Sequence, residues 1–366
     1  MLPESVVIKS SSVSSARWRL FGQSLLERNI RILKQAGAGR IYLDLNDPDL
    51  HFYESRVKKH ILQLPGAEVV IGKPVEEKYL LISANHFLLF SAFSKFEENF
   101  ILLNGIYQPV KKQSQYIIEN NTDFAGARKF ALEVIRTGSG GKIAQNINKR
   151  ISIPVSLLLA RLRVLPNVIT VVNFFIGVLA IVLIFSNRLI DQAAGGILVQ
   201  LCSIIDGCDG EVARMTTRFS KLGGLLDTVS DQLLAAALII VSVVKVYQNF
   251  PFPVFLINMI GVVGGVGIMM GIIVYFMKHY SESMSFASYD REFLAVLPPS
   301  DKLATATRYL QYLSRKELYS MMVCLFCLFG ALHYYMLFFT LVAVIGVILM
   351  LILNHRYFPT LERIRD

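Results

Sequence analysis

Residues 206–231 read DGCDGEVARMTTRFSKLGGLLDTVSD, and apolar runs long enough to cross a bilayer lie on both sides of them. Four aspartates fall inside this stretch: Asp206, Asp209, Asp227 and Asp231. An ionised Asp at the centre of a membrane helix costs roughly 2.5–3.5 kcal/mol on insertion scales, so four in such surroundings require cations, a water-filled cavity, or both. At about 100° per residue, Asp206 and Asp209 share one helix face, and Asp227 and Asp231 share a face of another. The polar segment Thr216 to Lys221 reads as the turn of a helical hairpin. If it forms, the acidic faces meet in a hard, oxygen-rich site suited to Mg²⁺ or Mn²⁺. Gly210, Gly223 and Gly224 leave room beside the acids for a ligand or a neighbouring helix, and Arg214 adds a fixed fork for phosphate oxygens.

These residues fit the pattern D-x2-D-G-x2-A-R-x8-G-x3-D-x3-D without a gap, through Asp206, Asp209, Gly210, Ala213, Arg214, Gly223, Asp227 and Asp231. The pattern resembles the signature of the CDP-alcohol phosphotransferase family. The resemblance implies a reaction in which an acceptor hydroxyl attacks the β-phosphorus of a CDP-linked alcohol, expelling CMP and making a phosphodiester. It assigns metal binding to the four aspartates and the general base to Asp231. Gly210, Ala213, Arg214 and Gly223 then belong to the nucleotide site, and the protein is expected to be a homodimer. Two rivals come from other classes. Membrane prenyltransferases bind a diphosphate through two Asp-rich helices, but with a longer separation and without the glycine and Ala-Arg positions. A transporter would string its acids along a transmembrane pathway instead of gathering them in one hairpin.

Composition agrees with a membrane protein. The chain has 366 residues, 54% hydrophobic, with 24 Phe, and such values are unusual for a soluble domain. Residues 1–141 nevertheless carry 18 Lys or Arg and 14 Asp or Glu, so we expect a soluble domain there and a membrane domain over 142–366. The net charge of +10 suits anionic lipid headgroups. Without a basic stripe interleaved with aromatics, no nucleic-acid partner is expected. Cys324 and Cys327 form a CxxC inside an apolar run with no second pair, so all four cysteines, with Cys202 and Cys208, read as core residues. No secretory signal is visible in the N-terminal sequence, which places the first domain in the cytoplasm.

In residues 1–141, an amphipathic helix containing Leu25, Ile30, Ile32 and Leu33 leads through a Gly-containing turn to a strand with Ile41, Leu43 and Leu45. Further strands are expected at Val6–Ile8, Val69–Gly72, Tyr79–Ile82 and Phe100–Leu103. Alternating strands and helices argue for an open, Rossmann-like α/β sheet, and the segment resembles the sugar-nucleotide and cytidylyl transferases. The place where those enzymes carry a Gly-rich phosphate loop reads SSSVSSARW, with no glycine, so the domain is expected to be a degenerate, inactive nucleotidyltransferase. His86 reads as a packed structural residue.

After the linker TGSGG, residues 142–162 read as a helix in the headgroup plane, broken or bent at Pro154. PNVIT, residues 166–170, is similar to the family's opening of the first span. Asn167 and Thr170 then either line the nucleotide pocket or serve as a helix cap and start signal. Six spans can be drawn: 167–186, 193–214, 221–246, 253–277, 317–336 and 337–355. Lys and Arg concentrate on one side of them, which orients the hairpin turn, the N-terminal domain and the C-terminus towards the cytoplasm of a multi-pass protein in the cell membrane. Gly261, Gly264, Gly265, Gly267 and Gly271 in the fourth span permit close packing, within a subunit or across a dimer. Lys221 and Arg315 either bind an acceptor phosphate or anchor the chain at the membrane border. The layout as a whole resembles the bifunctional archaeal enzymes that make CDP-inositol and then di-myo-inositol phosphate phosphate. Inositol phosphate is therefore one acceptor to expect and CDP-inositol one donor, with phospholipid synthesis from a CDP-linked lipid as the alternative.

Overall fold

A computed structural model of the chain describes residues 5–10, 19–21, 23–62, 64, 66–72, 79–83, 86–88, 100–103, 106–109, 115–117, 121–137, 148–279, 293, 297–298, 300–313 and 315–365. The glycine-free stretch at 11–18, the linker after Thr137 and the side chains of His86 and Lys221 lie outside what is described. The chain divides into two compact units, residues 1–169 with 207–223, and residues 170–206 with 224–366.

The first unit begins with β1 (Ser5–Lys9), a short hairpin of β2 (Arg19–Leu20) and β3 (Gln23–Ser24), and α1 (Leu25–Gln35). Ser24 caps α1, its hydroxyl accepting from the Glu27 amide at 3.2 Å. Then come β4 (Arg40–Asp44), α2 (Asp47–Phe52), a π-helical turn (Tyr53–Val57), α3 (Lys58–Leu62), β5 (Glu68–Ile71), β6 (Tyr79–Ser83), β7 (His86–Leu88), β8 (Phe100–Leu103), β9 (Ile106–Pro109) and β10 (Gln115–Ile117). Six strands form one sheet in the order β5-β4-β1-β6-β9-β8, parallel except for the β8–β9 pair. The near-continuous apolar β1 suits a parallel strand covered on both faces. Val6, Ile8, Ile30, Ile41, Leu43, Leu80 and Ile82 make the core around the sheet.

Two helices complete that unit's N-terminal portion, α4 (Asn121–Thr137) and α5 (Lys149–Arg161). The latter runs through Pro154 as one helix, so of the expected break or bend at Pro154 the break is absent. Its faces are inverted relative to a soluble helix. Ile151, Val155 and Leu158 are exposed, while Lys149, Ser152 and Ser156 are buried.

The remaining helices are α6 (Pro166–Phe185), α7 (Leu189–Thr216), α8 (Lys221–Asn249), α9 (Phe252–His279), α10 (Lys302–Leu313), α11 (Lys316–Leu328) and α12 (Leu332–Arg365). Five of these are long and apolar enough to cross a membrane: α6, α7, α8, α9 and α12. The fifth drawn span, 317–336, is instead α11, which ends at Leu328. Gly330, at φ +63°, lets the chain turn where a side chain would be strained, and α12 starts at Leu332, ahead of the drawn boundary at 337. In the second unit Lys245 is buried and donates to Phe185 O at 3.1 Å, Ser186 O at 2.8 Å and Asn187 Oδ1 at 3.0 Å. A lone lysine in an apolar helix thus satisfies carbonyls at the end of α6. Among the glycines of α9, a Cβ on Gly261 would meet Thr340 Cγ2 at 2.6 Å, whereas Gly264, Gly267 and Gly271 face open space.

Candidate functional site

In the second unit, Asp206 near the end of α7 and Asp227 and Asp231 in α8 offer carboxylate oxygens that all lie within 4.8 Å of one another. The one-turn spacing of Asp227 and Asp231 puts both on the face of α8 that meets Asp206, as the helical period requires. Lys316, the first residue of α11, reaches into this cluster, its Nζ lying 2.7 Å from Asp206 Oδ1 and 2.5 Å from Asp231 Oδ1. The two carboxylates answer the charge of the ammonium. All the donors are hard oxygens. Opposite ligands of one Mg²⁺ stand about 4.1 Å apart, from metal–oxygen distances of 2.0–2.1 Å, so oxygens already within 4.8 Å need little movement to share an ion.

Thr170, also in this unit, is buried near the start of α6. Arg315 is exposed and stands as the N-cap of α11 without a side-chain capping bond. The four cysteines are free, and among the described residues no group of metal-binding type includes one.

The remaining motif residues belong to the first unit. Asp209 is buried and is not one of the three clustered acids; its Oδ1 accepts from the Gly210 amide at 2.5 Å. Gly210 is covered by Arg214, whose Nη1 would lie 3.4 Å from a Cβ there. Ala213 is buried one residue before. Gly223 closes against Asn167, whose Oδ1 would clash with any side chain at 223.

Two structural supports in this unit were not anticipated. Glu211 is 1% exposed, and its two carboxylate oxygens accept from Ser152 Oγ and Ser156 Oγ of α5, both at 2.8 Å. A buried carboxylate needs such donors. The serines are one helical turn apart, a spacing that could have been matched to the buried glutamate in the motif. The second support is at the end of α7. Thr217 adopts φ +50°, uncommon for a β-branched residue, and the Arg218 amide donates back to Ala213 O at 3.1 Å, as in a Schellman cap. Helix α1 and strand β3 hold this turn: Arg28, 2% exposed, donates to Met215 O at 2.5 Å, Gln35 Nε2 donates to Thr217 O at 3.1 Å, and Thr217 Oγ1 donates to Gln23 Oε1 of β3 at 3.2 Å.

Comparison with known proteins gives this arrangement a context. The family model described as CDP-alcohol phosphatidyltransferase matches residues 163–352, more than half of the chain and all of the motif. A bifunctional IPC transferase and DIPP synthase of Thermococcus kodakarensis is 38% identical over 116 residues, 31% of this chain and 26% of that protein. The Aquifex aeolicus protein of the same description is 38% identical over 117 residues, with the same coverage of each chain. An archaetidylinositol phosphate synthase of Pyrococcus horikoshii is 36% identical over 81 residues, 22% of this chain and 42% of that one. The chain thus spans about a quarter of the length of the first two relatives. The match of the family model over the aspartate-bearing helices makes this a multi-pass membrane protein that belongs to the CDP-alcohol phosphatidyltransferase family.

Proposed function

We propose that this protein transfers a substituted phosphate group from a CDP-alcohol to an acceptor hydroxyl and releases CMP. The observation that carries the reading is the convergence of Asp206, Asp227 and Asp231, within 4.8 Å, inside a unit made of membrane helices. With Asp209 of the motif, these carboxylates would hold Mg²⁺ or Mn²⁺, which when bound neutralises the diphosphate and the departing CMP. Asp231 takes the proton from the acceptor hydroxyl; the oxygen forms a bond to the β-phosphorus, and the bond to the CMP oxygen breaks with its electron pair leaving on CMP. Arg214 binds phosphate oxygens bidentately, while Gly210, Ala213, Gly223, Asn167 and Thr170 shape the cytidine pocket. Lys316 spends two of its three N–H donors on Asp206 and Asp231; the third serves the acceptor or donor phosphate, together with Lys221 and Arg315 in the assignment made from sequence.

A chain of cavities favours a lipid as the donor alcohol. A small cavity of 50 Å³ is lined by Asp231, Lys316 and Tyr319. It shares Ala235, Leu238 and Tyr319 with one of 130 Å³. That one shares Tyr335 and Phe339 with an apolar cavity of 320 Å³. The apolar lining of the two larger cavities suits hydrocarbon better than a polyol. Inositol phosphate as acceptor, and CDP-inositol as donor, follow from the names of the relatives. Residues 1–141 are a Rossmann-like nucleotidyltransferase-like domain that no longer makes its own donor, and residues 142–366 form the membrane domain, with α11 as a sixth membrane helix. The positive-inside pattern faces the N-terminal domain and C-terminus to the cytoplasm. The open glycines of α9 suit a homodimer contact. CMP release by the purified protein, offered CDP-diacylglycerol, CDP-archaeol or CDP-inositol with inositol phosphate and other acceptors, tests the reading. No CMP from any pair would overturn it, and release from CDP-inositol alone would overturn the lipid donor.

A further inference from the structure

The first unit contains a second charged cavity, built without any motif acid. It measures 120 Å³, and its lining includes Gln23, Glu27, Arg56, His60, Arg163 and Arg218. Three guanidinium groups thus meet one carboxylate, and Glu27 already pairs with Arg31 at 3.0 Å. Arg56, Arg163 and Arg218 form no ion pair among the described residues. Burial, and then the neighbouring Arg31 and Arg163, push the Arg218 guanidinium below its ordinary value, with Glu27 acting in the other direction.

Two helix ends deliver these arginines. Helix α5 closes with the Val164 amide donating to Leu159 O at 3.0 Å and the Arg163 amide donating to Ala160 O at 3.1 Å, with Arg163 at φ +59°. This is a Schellman cap with arginine where glycine is usual. The end of α7 repeats the device, placing Arg218 just after left-handed Thr217. The helix dipoles answer part of the charge, but they do not account for Arg56, which belongs to the π-helical turn. Gln23 is 4% exposed; Thr217 holds its Oε1, and its Nε2 is buried without an acceptor among the described residues. The buried Gln23 amide donor opens on the same cavity as Arg56 and Arg163, which are exposed, and half-buried Arg218, so an anion entering from solvent would meet all four.

We infer that this cavity binds a single phosphate group through Arg56, Arg163 and Arg218. The cavity has room for a tetrahedral phosphate, and the three guanidinium groups in its lining supply forked N–H donors for phosphate oxygens. The phosphate has two sources, a lipid headgroup or a free phosphate in solution; Leu162 and Leu165, both exposed on either side of Arg163, give a lipid chain a surface to follow.

Calorimetric titration of the full chain in detergent tests the inference, with inorganic phosphate, dioctanoyl phosphatidic acid and dioctanoyl phosphatidylcholine as titrants. Neither Arg56 nor Arg163 belongs to the aspartate motif, so the difference between wild type and Arg56→Gln/Arg163→Asn isolates this cavity from the active site. Charge-assisted bonds are each worth about tenfold or more in affinity, so the double variant should bind phosphate about 100-fold more weakly. Arg218→Gln, about tenfold weaker, covers the case in which the double variant fails to fold by circular dichroism. Phosphatidic acid binding at least tenfold more tightly than phosphate assigns a lipid headgroup; equal binding assigns a free phosphate. Unchanged affinity in the folded variants, or no binding of either phosphate by wild type, would overturn the site.

Discussion

Removing both hydroxyls that face Glu211 should destabilise the first unit more than any single surface change. In Ser152→Ala/Ser156→Ala the carboxylate stays 1% exposed but loses both of its 2.8 Å donors. Hydrogen bonds to a charged group contribute about 1.5–3 kcal/mol each, which sets a gross range of about 3–6 kcal/mol. Lys149 and Arg214 lie close enough to act on the same carboxylate, so the lower end, about 3 kcal/mol, is the expected loss. In a folding unit of roughly 150–250 residues each kcal/mol moves the midpoint by about 2–4 °C, giving a fall of about 6–12 °C in a circular-dichroism melt. Glu211→Gln keeps two neutral partners for the serines, and neutral bonds are worth only about 0.5–1.5 kcal/mol each. The two serine substitutions made in the Glu211→Gln background should therefore cost about half as much or less. The refuting result is an equal cost in both backgrounds, because the serines would then be acting through packing and not through the carboxylate.

Asp206→Asn and Asp227→Asn should each abolish cation-dependent CMP release from a folded protein, and full turnover in either would remove the metal assignment. Asp231→Asn should lower turnover by about 10²–10⁴, the usual worth of a general base, while CMP binding in the presence of Mg²⁺ survives; calorimetry showing CMP binding lost as completely as in Asp206→Asn would make Asp231 primarily a metal ligand. Lys316→Met removes the ammonium that competes for Asp206 and Asp231, so the protein should bind Mg²⁺ several-fold more tightly by calorimetry, and weaker binding would show that Lys316 assists the cation. The full chain should form no CDP-inositol from CTP and inositol phosphate, and its detection by chromatography would restore catalysis to the N-terminal domain.

The acids were legible because a carboxylate between apolar spans has few benign explanations, and because helical spacing fixes which of them share a face. Strands β1, β4, β5, β6 and β8 were legible for a related reason, since short runs such as Val6–Ile8 combine β-branched residues with flanking breakers. The five long spans followed from length and hydropathy alone. The end of α11 did not, because LFCLFGALHYY holds no Asp, Glu, Lys, Arg or Pro and only Gly330 marks the turn. The supports of the site were illegible for a different reason. Arg28 lies 187 residues from the carbonyl it binds, and nothing in either local sequence announces the partner.

Lys316 shows where sequence reading and structure part most usefully. Within SRKELY, Arg315 and Lys316 are adjacent cations at a helix start, and on sequence alone either could face the acids. At about 100° per residue, neighbours on a helix point in different directions, so only one of the pair can enter a cluster one carboxylate wide. Arg315 is the N-cap, in extended conformation at ψ 139°, while Lys316 is the first helical residue and contacts two aspartates. The sequence reading offers Arg315 an acceptor phosphate or the membrane border and gives Lys316 no role; the cation among the acids comes from the structure alone. The same step decides what that cation does: bound to Asp206 and Asp231 at once, it holds α11 to both acid-bearing helices, so the position of that helix is coupled to whatever occupies the carboxylates.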